Sequence, residues 1–130
     1  MPFYHVTRAD RLPSILRHGL GGFDGGRNWE CEDGVYLASD PAIGLAVMLQ
    51  HYCEFGAADS VPSEEVASWR CIVVDDSRIR VELLRPDPEF PEPSGRSMIY
   101  DGVVDVRGMP VLDVDGVLAP GAAPAGAPAS

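Results

Sequence analysis

Polar and apolar residues alternate with a period of two at the start of the chain. Phe3, His5 and Thr7 fall on one side of an extended segment, and Tyr4 and Val6 on the other, so residues 2–7 read as a strand. The period then lengthens. Leu12, Ile15 and Leu16 form an apolar stripe at helical spacing, with Asp10 as N-cap, Pro13 in the first turn and Gly19 as the stop, which predicts a helix over about 10–18. Gly34-Val35-Tyr36-Leu37-Ala38 reads as a second strand that runs directly into Ser39-Asp40-Pro41. There Asp40 caps and Pro41 opens a helix, continued by Ile43, Ala46, Val47, Leu49 and Gln50 to about Tyr52. Residues 56–68 are small and acidic and read as a loop or a short helix.

The second half is richer in strand patterns. Residues 69–75 and 79–84 read as strands joined by a turn at Asp76-Ser77, the latter with clean alternation. Residues 85–95 hold four prolines, which excludes a helix or a central strand and predicts a surface loop. Residues 97–106 alternate and break at Asp101-Gly102, and 111–114 suit an edge strand. From 119 to 130 only Ala, Pro, Gly and Ser occur, a composition that cannot bury a core and predicts a disordered tail. The expectation is one domain over residues 1–118, of the α+β class, with a split antiparallel sheet and short helices.

Charge narrows the chemistry. The net charge of -10 comes from 20 acidic against 10 basic residues, and all ten basic residues are arginine. Without lysine there is no Schiff-base catalysis, and the acidic field opposes general nucleic-acid binding, although a local arginine cluster can grip a phosphate. No apolar run approaches the roughly 18 residues of a membrane span, and the first residues lack a basic stretch followed by an apolar one, so a cytoplasmic protein is expected. Cys31, Cys53 and Cys71 are odd in number and far apart, which suits neither a disulfide framework nor a zinc site, and no metal is expected. Residues 19–28 hold five glycines, a backbone able to approach a ligand closely, with Arg27 available for an anion. Their spacing fits neither the dinucleotide fingerprint nor the Walker pattern, and they read more simply as a flexible connector.

Three pieces in order point further: Tyr4-His5-x-Thr7, the helix end Ile15-Leu16-x-x-Gly19-Leu20, and Gly34-Val35-Tyr36-Leu37-Ala38 followed by an alanine-containing helix. Together they resemble the ADP-ribosyltransferase superfamily in its histidine-tyrosine branch, over about residues 2–50. Within that branch the Pro-Phe-Tyr-His-x-Thr opening and the small size are similar to the short bacterial rifamycin ADP-ribosyltransferases. The resemblance implies an ADP-ribosyltransferase-like fold and an NAD-dependent enzyme that transfers ADP-ribose to an acceptor. The acceptor stays open between a small molecule such as a rifamycin and a macromolecule, as for a toxin that travels with an antidote protein. It also implies roles. His5 would bond a ribose hydroxyl and Tyr36 would stack on nicotinamide. The backbone beside Val6 would bond the carboxamide, while Thr7 and Arg8 would help hold ribose or pyrophosphate. Taken singly, His5 also reads as a satisfied strand histidine and Tyr36 as a core tyrosine.

Two departures from the family stand out. Valine occupies position 6, where many relatives have glycine. Where polymerase-like members have a catalytic glutamate opening a late strand, this chain has a residue near Arg96, and arginine cannot be the anionic partner of a ribosyl cation. Asp87-Pro88 is similar to the aspartate setting of the rifamycin-modifying enzymes, so Asp87 is the expected third catalytic residue, with Glu92 and Asp101 as fallbacks. Arg96-Ser97 also resembles the phosphate-binding pattern of the NAD-dependent RNA 2'-phosphotransferases, although these have a histidine at the place of Tyr36. A non-catalytic NAD-binding or protein-binding module is the third reading.

Overall fold

The strand Trp69–Val74 is buried at every position except Arg70, as expected of a strand covered on both faces. The computed structural model, which describes residues 2–22, 34–55, 59–87 and 97–118, shows what covers it. In chain order the elements are β1 (Phe3–Arg8), α1 (Leu12–His18), β2 (Val35–Ala38), α2 (Pro41–Phe55), α3 (Ser63–Ala67), β3 (Trp69–Val74), β4 (Leu84–Pro86), β5 (Ser97–Tyr100), β6 (Val111–Asp113) and α4 (Val114–Leu118). Short 3-10 turns occupy Ala9–Arg11, Asp76–Arg78 and Val81–Leu83.

All six strands join one antiparallel sheet in the order β4-β5-β2-β1-β3-β6. The domain is therefore α+β, with an antiparallel sheet and short helices. Alternation sorts the strand residues onto two cores. On one face Val35, Leu37, Ile72, Val74 and Tyr100 pack together, with Leu12 and Ile15 of α1 against them. On the other, Tyr4, Trp69, Cys71 and Val73 lie beneath Leu45 and Met48 of α2, joined by Val117 of α4. Helix α2 owes its start to Asp40, whose Oδ1 accepts the Ala42 N–H at 2.8 Å. Among the described residues no helix is long and apolar enough to cross a membrane.

Several expectations need correction. Asp10 does not cap α1: it lies within the turn Ala9–Arg11, and the helix begins at Leu12 with no side-chain cap. The glycine stop holds, with Gly19 at φ +83° and Leu20 then bridging to Val104. Residues 79–84 alternate but form no strand over that length. Val81 is 73% exposed in a 3-10 turn, and pairing starts only at Leu84. The proline-rich segment contributes Arg85 and Pro86 to β4, tolerable because β4 is an edge strand. Helix α2 runs three residues past Tyr52, and α4 follows β6 directly, where only an edge strand had been expected. The tail from 119 to 130 lies outside the described residues.

Candidate functional site

The join between β1 and β2 is where the site begins. Strand β1 pairs with β3 along its whole length, from Phe3 with Val74 to Arg8 with Trp69, but with β2 at the single pair Tyr4 and Ala38. In an antiparallel ladder the next hydrogen-bonded pair would be Val6 with Tyr36. Instead, the Tyr36 carbonyl accepts from the His5 imidazole, with Nδ1 at 2.7 Å.

That bond fixes the ring's chemistry. A carbonyl oxygen can only accept, so Nδ1 carries the hydrogen, and in the neutral ring Nε2 is left as an acceptor. Burial lowers the pKa of His5 and outweighs the opposing pull of the Tyr36 carbonyl. At neutral pH His5 therefore offers a lone pair at Nε2, held in one orientation by backbone.

Tyr36 turns its ring the other way. By alternation it shares a face with Ala38, the face on which α2 lies, and it meets His51 of α2 edge to face, with ring centroids 4.6 Å apart and planes at 85°. The helix comes close to the sheet because residue 44 is glycine: a Cβ there would stand 3.3 Å from Val6 Cγ2 and 3.7 Å from the Ala38 Cβ. Two turns on from Gly44, His51 falls on the same sheet-facing stripe.

Asp87 reaches the cluster from the far side. It follows β4, and its Oδ2 accepts the Ser97 hydroxyl at 2.7 Å, with both residues buried, at 3% and 4% exposure. Ser97 pairs with Ala38, and Ile99 with Tyr36, so β5 delivers this pair to the α2 face of β2. The pKa of His51 is lowered by burial, against the opposing pulls of Asp87 and then Glu54.

Of the residues expected from sequence, Tyr36 meets His51 and Asp87 reaches the same face through Ser97, whereas the His5 ring lies on the other face, tied to the Tyr36 backbone. Thr7 is buried. The Arg8 guanidinium faces Asp10 at 3.5 Å and Glu65 at 3.7 Å, so carboxylates of its own chain already oppose it. Asp101 is tied to Arg85 at 2.8 Å, away from this cluster's hydrogen bonds. Arg27, Glu92 and Arg96 lie outside the described residues. Among the described residues no group of His, Cys, Asp and Glu side chains is placed to hold a metal ion.

No protein family, curated protein or solved structure matches this chain. Sequence reasoning passed over His51 and met Ser97 only in the Arg96-Ser97 pattern, not as a partner of Asp87. One signal for His51 was legible, a polar ring at heptad spacing from Gly44 on a mostly apolar helix, whereas nothing local marks the bond from Ser97 to Asp87.

Proposed function

We propose that this protein is an NAD-dependent mono-ADP-ribosyltransferase, and that the meeting of β1 and β2 at one residue pair is the opening of a split sheet of the ADP-ribosyltransferase kind. The observation that supports this most is the His5 to Tyr36 carbonyl bond, which puts the hydrogen on Nδ1 and so leaves Nε2, in a ring that burial keeps neutral, to accept a hydroxyl hydrogen. A ribose hydroxyl is such a donor. From the other face of the sheet, Tyr36 supplies an aromatic ring suited to a flat heteroaromatic group. The two side chains lie on opposite faces of the sheet, and in this reading NAD bridges them across the opening beyond the Tyr4 and Ala38 pair.

NAD, as substrate, supplies the bond between ribose C1 and the nicotinamide nitrogen. The bonding pair leaves with nicotinamide, while the acceptor's nucleophile bonds to C1 and gives up its proton. The chain's part is positioning. His5 orients the ribose through its hydroxyl, Tyr36 holds the leaving group, and the rigid sheet fixes both before the bond breaks.

Nicotinamide release from NAD by the purified full chain tests the reading. The wild type should release nicotinamide, and His5→Ala should lower kcat/KM by about 10²-fold, the scale expected when a positioning contact is lost. Tyr36→Ala should act mainly on KM. Absence of both NAD binding and release in the wild type contradicts the proposal, as does full activity in both variants. NAD binding without any release selects the non-catalytic binding module instead.

A further inference from the structure

We propose that His51 is a positioning residue for Tyr36, and that Asp87 acts on the site through His51 instead of touching the substrate. This rests on the reading of Tyr36 as the ring that holds the leaving group. It changes the part played by the carboxylate.

A carboxylate 3% exposed, bonded to a serine itself 4% exposed, is withdrawn from the surface at which a ligand would bind. A buried carboxylate nonetheless requires polar partners or a nearby cation. Ser97 donates one hydrogen bond, and the charge of Asp87 favours the protonated form of His51. His51, 6% exposed, makes the edge-to-face contact with Tyr36. Ser97 comes from β5, Asp87 from the residue after β4, His51 from α2 and Tyr36 from β2. Among the described residues, the charged and titratable groups facing His51 are Asp87 just after β4, Tyr36 from β2 and Glu54 from its own helix.

This arrangement is not a hydrolytic triad, because the serine hydroxyl donates to the aspartate and is itself buried. Its geometry suits the orientation of an aromatic ring. Aromatic pairs prefer edge-to-face geometry, and His51 meets Tyr36 in that geometry on the face of the sheet where Ser97 and its partner Asp87 also lie.

Two measurements on the full chain decide it. In NMR spectra the Tyr36 ring resonances should shift as His51 titrates, and Asp87→Asn should lower the His51 midpoint, since the carboxylate that favours protonation is gone. Kinetically, His51→Ala should raise KM for NAD by about three- to tenfold, the scale of one aromatic pair, with a smaller effect on kcat. His51→Phe, which keeps a ring, should restore most of that KM. Asp87→Asn should impair the wild type but have little further effect in the His51→Phe background. If Asp87→Asn is equally damaging in both backgrounds, Asp87 acts on the substrate directly and the inference fails. It fails too if the Tyr36 resonances ignore the state of His51. Should the wild type not turn over NAD at all, the enzyme reading falls, and the NMR measurement alone decides the positioning of Tyr36.

Discussion

Acidification offers a quantitative perturbation of this structure, because His5 and His51 are both held below their ordinary pKa of 6.5, in each case chiefly by burial. Below pH 6.5 the unfolded chain takes up protons at these positions and the folded chain resists, so stability falls with pH from 6.5 down to the folded-state values. Above 6.5 both states are neutral there and the effect vanishes. For a histidine whose folded value lies well below the window, moving from about pH 7.5 to about pH 5.5 removes at most about 1.4 kcal/mol, or about 2.7 kcal/mol for the two together. Against a typical domain stability of about 5–15 kcal/mol this is a large fraction, equivalent to a drop of roughly 10 °C in Tm. Carboxylates titrate mostly below this window. Urea unfolding at several pH values, with the m value checked for constancy, measures the slope. His5→Asn and His51→Phe should each remove up to half of it. Stability that stays flat between pH 7.5 and 5.5, or a slope that survives both substitutions, would refute the burial argument.

Other consequences follow from single contacts. Gly44→Leu should destabilise by about 1–3 kcal/mol in urea unfolding, because its side chain must force α2 away from Val6 and Ala38; unchanged stability would mean the helix is not seated as described. Asp40→Ala should cost about 1 kcal/mol through loss of the Ala42 N–H cap, and Asp40→Asn should recover most of it. The buried Cys71 thiol, with its pKa pushed up to about 12, should resist thiol reagents in a variant lacking Cys31 and Cys53 until urea unfolds the chain.

How much of this was legible beforehand depends on where the information lies. Strands β1, β2 and β3 announce themselves because alternation or a continuous apolar run is a local property, and Asp40-Pro41 announces α2 because capping is local too. Residues 79–84 mislead for the same reason: Val81 and Leu83 alternate with polar neighbours, but no strand lies beside them until Leu84 reaches β5. Asp10 had the right chemistry for a cap, yet the chain passes through a 3-10 turn before α1 begins. The site itself was half visible. His5, Tyr36 and Asp87 stood out by residue type and motif, whereas the contact of His51 with Tyr36 exists only once α2 crosses the sheet at Gly44. That of Ser97 with Asp87 exists only once β5 lies between β2 and β4.

Central to the account is a neutral His5 whose Nδ1–H is held by the Tyr36 carbonyl and whose Nε2 meets the ribose of NAD. Nitrogen NMR of the labelled full chain at neutral pH, with and without NAD, reports on both halves at once. The account predicts hydrogen on Nδ1 alone in the free protein, and a shift of the bare Nε2 signal when NAD is added, absent for added adenine. Hydrogen on Nε2 in the free protein, or an imidazole spectrum unchanged by saturating NAD, would contradict it.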